Sequence, residues 1–394
     1  MQASSSPRLQ ATFSLGFRPF YLLGAIYAAI TIPLWIFNLT GHLEISGPLD
    51  GLYWHAHELL FGFGAAILIG FLFTAVQNWT GVRTPHGTHL ALLALLWLAG
   101  RIVLLFWNSP LASIIDLAFL PAATVGVAIP LIKANNRRNL FVIMLLSIMS
   151  CANLAFHADA WGWITISPEA LFLAVIDIFA IFISVIAGRI IPIFTNNALG
   201  PKAVRLPKLE AALVIGMLAL LVLDSIFGMY SEYPLPQATL CIALGVLHAF
   251  KLGLWSPFRT WKNPILWILP LSYAWLPLAF LLRAAALLEI VELEQIYALH
   301  ALTIGAMAGM MLAMMTRSSL GHTGRPMRAT WVDTLIFYSI MLSATARVFL
   351  PLISDALYTM SLHISATLWV IAFAAFALRY APMLTTPRAD GRPM

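Results

Sequence analysis

Twelve stretches of predominantly apolar residues, each near the roughly 20 residues that a helix needs to cross hydrocarbon, dictate what this chain can become. In lipid every backbone N–H and C=O must find a partner within the protein, and a helix meets that demand within its own segment. The stretches run over residues 18–39, 54–76, 89–107, 110–132, 139–160, 169–195, 209–230, 237–255, 263–288, 295–316, 331–352 and 357–380. Short polar connections leave no room for a soluble domain. The expected fold is therefore all-α: one polytopic membrane domain over residues 1–394, with tails at 1–16 and 381–394. Composition agrees, since 61% of residues are apolar and 10% charged, with a mean hydropathy of +0.89. No cleavable leader is expected, because Met1 to Gln10 is polar and the apolar run after Phe17 is long enough to span.

Basic residues set the orientation. Arg8, Arg18, Arg83, Lys133, Arg137, Arg138, Lys202, Arg205, Lys208, Arg259, Lys262, Arg317, Arg325, Arg328, Arg379, Arg388 and Arg392 all fall on one face. Glu44, Asp50, Glu232, Glu289, Glu292, Glu294 and Asp355 gather on the other. The positive-inside rule makes the first face cytoplasmic and places both termini there. The net charge of +6 reflects this asymmetry and not nucleic-acid binding. Cys151 and Cys241 lie in apolar runs, which argues against a disulfide framework and against thiolate metal sites.

The exceptions to this pattern carry the chemistry. Arg101, Arg283 and Arg347 each lie inside a span, in its outer half. An intramembrane cation costs a few kcal/mol or more and faces a cavity and a partner. Asp116, Asp177 and Glu58 are candidate anions, as are carboxylates of a ligand, which a guanidinium fork binds in bidentate fashion. Ion pairing among these residues is the plainer alternative.

The second span opens with Trp54-His55-Ala56-His57-Glu58-Leu59-Leu60-Phe61-Gly62-Phe63. His157 and His300 share the outer level with these histidines, as do His42 and His363. His86, His89, His248 and His322 lie toward the inner face. Imidazoles beside buried arginines suit a haem with axial histidines and propionates against arginine, with non-haem copper as the next candidate. His57, His300, His55 and His157 are the ligand candidates, with Arg101, Arg283 and Arg347 as propionate partners. On an ideal helix His55 and His57 are about 200° apart and cannot both serve one centre. Glu58 is placed to orient an imidazole or carry a proton.

Two other features stand out. His300, Met307, Met310 or Met311, and Met314 share a face at helical spacing; thioethers suit Cu(I), while packing with Gly305 and Gly309 is the simpler reading. The inner stretch Met314 to Arg325 holds Arg317, His322 and Arg325. Such a turn suits an anion, a second haem or an anionic-lipid anchor. With Gly188-Arg189, Pro192 and Asn196-Asn197 it would form a polar vestibule for proton uptake. His248 joins this group as a secondary candidate.

Several motifs taken in order resemble the NnrS family: Phe17-Arg18-Pro19-Phe20, Trp54-His55-Ala56-His57-Glu58 with Phe61-Gly62-Phe63, Gly70-Phe71-Leu72 to Asn78-Trp79-Thr80-Gly81, Ala99-Gly100-Arg101, Asn136-Arg137-Arg138-Asn139, Gly188-Arg189 to Pro192, and Leu320 to Arg325. Gln77 replaces an expected proline and Ala187 an expected glycine. The resemblance covers nearly the whole chain. It implies a bacterial inner-membrane protein of twelve helices containing haem, with copper as a further candidate, made during denitrification or nitric oxide stress. It transfers no ligand assignments.

Two functional readings follow. In the first, a haem b protein binds nitric oxide and reduces it with electrons from membrane quinol and protons routed past Glu58 or the inner vestibule, as a nitric oxide reductase-like oxidoreductase. In the second, the same residues line a path for a small anion or a metal-nitrosyl species, without redox turnover. No internal repeat between the two halves is apparent.

Overall fold

The computed structural model describes residues 7–229, 233–290 and 293–392, so Glu232 and Glu292 lie outside the described residues. Among the described residues, twelve helices are long and apolar enough to cross a membrane: α1 Phe17–Leu39, α2 Gly51–Thr80, α3 Thr88–Phe106, α4 Pro110–Lys133, α5 Arg137–Ala160, α6 Pro168–Leu199, α7 Pro207–Phe227, α8 Pro234–Gly253, α9 Pro264–Leu287, α10 Gln295–His322, α11 Trp331–Ile353 and α12 Asp355–Leu384. No strand occurs among the described residues. The expected all-α, polytopic class is the observed one.

Helix starts follow the local chemistry. Proline occupies the first turn of α4, α7, α8 and α9, where its missing N–H costs nothing. The Asp50 side chain accepts a hydrogen bond from the Tyr53 amide and caps α2. Thr330 and Asp333 form a reciprocal capping box on α11. Helix α10 continues to His322, beyond the expected boundary at 316. The stretch expected as an inner turn is thus helical for most of its length, because Met314 to Leu320 are competent helix formers. The stop comes at Gly324, whose φ of +72° favours glycine.

By packing, the chain falls into two compact units. The first holds the residues up to Pro168 with Met315–Met327 and the chain from Phe373 onward; the second holds Glu169–Met314 and Arg328–Ala372. In the first unit α2 is the core helix, and 89% of its apolar window is buried. The tails of this unit are tied down. Pro7–Thr12 is helical, the buried Arg18 guanidinium donates to the Leu384 and Thr386 carbonyls at 3.1 and 2.8 Å, and the Ala389 amide donates to the Thr323 carbonyl. In the second unit α6 and the larger part of α10 are the core, with windows 78% and 72% buried.

Helices α2 and α10 share a local design that sequence comparison of the halves does not reveal. In each, a histidine is followed at once by a π-helical stretch: Glu58–Gly64 after His57, and Ala301–Ala308 after His300. A π turn inserts a residue, shifts every later side chain around the axis and frees a carbonyl. One interval separates His57 from Gly62 and His300 from Gly305; another separates His57 from Gly81 and His300 from Gly324. Gly81 and Gly324 both have positive φ. The π turn also alters the methionine stripe, because α-helical spacing does not hold between His300 and Met307.

Candidate functional site

In the first unit α2 brings His57 and Glu58 to a fully buried level, where they meet Tyr27 of α1, Arg101 of α3, Asp116 of α4, and Asn153 and His157 of α5. Arg101 ties the group together. Its Nη1 donates to both Glu58 oxygens at 2.7 Å, and its Nη2 donates to Asp116 Oδ1. The Tyr27 hydroxyl donates to Glu58 Oε2. Gly62 makes this possible, since a Cβ there would lie 2.8 Å from Arg101 Nη1 and 3.1 Å from Glu58 Oε2. Trp97 Nε1 donates to the Gly62 carbonyl at 3.0 Å, satisfying a backbone group within the π turn.

His57 sits between acceptors. Its Nδ1 is 2.8 Å from Glu58 Oε1, and its Nε2 is 2.9 Å from Asn153 Oδ1. The Asn153 amide is oriented by donating from Nδ2 to Asp116 Oδ2. Both ring nitrogens of His57 thus face oxygen acceptors, and Arg101 spans the two carboxylates, Glu58 and Asp116. His157 Nε2 contacts Asp116 Oδ2 at 3.0 Å, while its buried Nδ1 has no partner. One ligand atom each from His57, Asp116 and His157 lie within 4.8 Å of one another. That set of two imidazoles and one carboxylate suits a first-row divalent metal.

His55 is not in this group. Its ring stacks on Trp35 with centroids 4.0 Å apart, as expected for a residue on a different face of the helix.

The second unit treats its arginines differently. Arg283 of α9 makes a two-pronged contact with Asp224 of α7, at 2.5 and 2.7 Å, and Gln237 of α8 donates to the same carboxylate. The buried Asp177 of α6 lies beside Asp224. Among the described residues, Arg347 of α11 has no carboxylate in hydrogen-bonding contact. It lies over the rings of Tyr297 and Tyr358, and its buried Nη1 has no partner. Tyr297 stands one turn before His300 on α10. His300 Nδ1 donates to the Ile296 carbonyl at 2.7 Å, the tautomer that places the lone pair on Nε2.

The remaining candidates have separate places. His248 of α8 is fully buried with Nδ1 2.7 Å from the Tyr273 hydroxyl. His322 lies against the Phe17 ring, Arg325 donates to the Thr323 carbonyl, and Arg317 and Arg189 are half-buried on α10 and α6. His363 is exposed on α12.

Sequence reasoning did not single out Tyr27, Asn153, Asp224, Gln237, Lys251 or Tyr273. Asn153 carried a signal, since it stands four residues before His157 and so shares its helix face.

Twelve apolar helices among the described residues, with a buried group of two histidines and a carboxylate that could hold a metal ion, define a polytopic all-α membrane protein. The model of the NnrS protein family matches residues 11–388, and the chain belongs to the NnrS family of nitric-oxide-related membrane proteins. A search of curated proteins returns no significant relative.

Proposed function

We propose that this protein is a haem-containing protein of the bacterial inner membrane that binds nitric oxide and reduces it with electrons from membrane quinol. The observations that support this reading are two residues of the second unit: His300, three positions after Tyr297 on α10, and Arg347, which lies over the Tyr297 ring. His300 Nδ1 donates to the Ile296 carbonyl; Arg347 is a buried guanidinium with an unpartnered Nη1 and, among the described residues, no carboxylate in hydrogen-bonding contact. An axial ligand and a propionate partner have these properties. Haem, when bound, supplies an iron that takes up nitric oxide and passes electrons to it.

The second metal position in this reading is His57, Asp116 and His157, with copper as the candidate ion. Binding there would use the two imidazoles and the Asp116 carboxylate in their deprotonated forms, and Arg101 would keep the two carboxylates apart and oriented. Glu58, held by Arg101, Tyr27 and His57, is a proton-transfer group whose exchange with His57 needs no movement. The overall conversion takes two nitric oxide molecules, two electrons and two protons to one nitrous oxide and one water, so proton delivery into the membrane is part of the function.

The test is a pyridine haemochrome assay with metal analysis of the purified protein, followed by nitric oxide consumption with a quinol donor. Haem in wild type, its loss in His300→Ala and formation of nitrous oxide support the proposal. If haem-loaded protein with quinol leaves nitric oxide untouched, the enzymatic reading fails. If the protein has no haem absorption, transport of a small anion or metal-nitrosyl species takes its place.

A further inference from the structure

We infer that the second unit contains a proton-conducting chain that rises from Glu210 at the basic face of α7 through Lys251 and Tyr273 to His248. The inference extends the reading above by naming how protons reach the membrane interior, but its geometry stands independently. It starts from a buried lysine without a carboxylate in contact. Lys251 of α8 is 3% exposed, and its Nζ donates to the Ser184 carbonyl at 3.0 Å and lies 3.4 Å from the Ser184 hydroxyl. The rings of Trp255 and Tyr273 flank it. A buried ammonium with few hydrogen-bond partners keeps N–H donors free for a neighbouring group or water, as a relay requires.

The chain continues inward through neighbouring groups. The Ser184 hydroxyl of α6 lies near the Tyr273 phenol of α9, and the phenol oxygen is 2.7 Å from His248 Nδ1. His248 Nε2 is buried, has no partner, and marks the inner end. A hydroxyl, a phenol and an imidazole each donate and accept, so a proton arriving on one side is matched by one leaving on the other.

Toward the basic face the chain has one gap, and Gly188 defines it. A Cβ at Gly188 would lie 3.0 Å from Lys251 Nζ and 3.5 Å from Glu210 Oε1. No direct ion pair joins these two residues, while Arg205 holds Glu210 at 2.9 and 2.6 Å. The missing side chain of Gly188 leaves the space in which Lys251 and Glu210 approach or share one water. The titratable groups on this line are Arg205 and Glu210, Lys251 and His248, and Tyr273. The Gly188 motif, prominent in the sequence, thereby gains a physical role.

The test uses purified full-length protein transferred into deuterium oxide and followed by infrared spectroscopy, the Tyr273 band being identified by its loss in Tyr273→Phe. Exchange at Tyr273 is expected to slow about tenfold or more in Lys251→Met and Gly188→Ala, and to slow in Glu210→Gln, a part-exposed change that leaves the core intact; relay groups contribute on this scale or above. Lys262→Met, at an exposed lysine on the same face, is expected to exchange as wild type. Exchange at wild-type rate in Glu210→Gln and Gly188→Ala overturns the chain. Slowed exchange in a protein that consumes no nitric oxide leaves the chain standing and removes the function above.

Discussion

His57 and His300 open the same backbone device in α2 and α10, yet their surroundings are opposite. Each precedes a π-helical stretch with glycine at the same interval, and each glycine receives an aromatic or charged neighbour. Gly62 lies against Arg101 and Tyr27, and Gly305 lies against Trp275. His57, however, is enclosed by Glu58, Asn153 and Asp116, whereas His300 Nδ1 donates to a carbonyl of its own helix. The nearby arginines differ as well: Arg101 bridges two carboxylates, and Arg347, which contacts no carboxylate among the described residues, lies over the rings of Tyr297 and Tyr358. The comparison teaches that one backbone shape serves a cross-linked cluster of charged groups in one place and a histidine near an aromatic-flanked arginine in another.

The sharpest way to break this comparison is to remove the two arginines. Arg101→Met strands two buried carboxylates and is expected to destabilise the protein by about 3–5 kcal/mol. Arg347→Met is expected to leave unfolding nearly unchanged while lowering haem content. Denaturant unfolding in detergent with haem quantified on the same samples reads both, and equal losses of stability would erase the distinction.

The histidines give the next largest contrast. His57→Ala leaves Glu58 and Asp116 short of a partner and should cost about 1–3 kcal/mol. His300→Ala should release haem with little loss of stability. A smaller effect is expected at the glycines, where Gly62→Ala and Gly305→Ala overpack the π turns by about 1–3 kcal/mol. Of the two, Gly62→Ala should also disturb metal binding, because the added methyl presses on Arg101 and Glu58.

Proton linkage sharpens the comparison without mutation. Metal binding at His57, Asp116 and His157 should weaken as pH falls, because imidazole and carboxylate ligate in their deprotonated forms, and metal titration at a series of pH values would register this. Binding that does not weaken would count against these residues as the ligands. The smallest effect is expected outside the membrane. There Arg388 holds the Asp390 carboxyl down to about 2 from its ordinary value. A depressed carboxyl stabilises the folded state above its ordinary range and loses that contribution as pH falls toward about 2. Asp390→Asn should flatten this part of the acid-unfolding curve, and the docking of the C-terminal tail near Gly324 should loosen slightly.

Much of this was legible in the residues. Twelve spans were readable because lipid demands long uninterrupted apolar helices, and the buried arginines, histidines and Glu58 stood out because charge is costly there. The partners of those residues were not legible. Asp224 pairs with Arg283 across 59 positions and Asn153 with His57 across 96, and no local pattern specifies such distant meetings. The π turns were hidden for a related reason: glycine-rich apolar sequence is compatible with α and π turns alike, and the choice is made by what the shifted side chains and freed carbonyls contact.

By itself, then, the sequence determined the solvent, the helical spans and the cost of each buried charge, since these depend on composition and spacing along one segment. Only the tertiary structure decided which polar group meets which. It placed His57 with His157, Glu58, Asp116 and Arg101, gave Arg283 to Asp224, and set Arg347 over two tyrosine rings, because electrostatic pairing acts over a few ångströms and depends on which helices pack together.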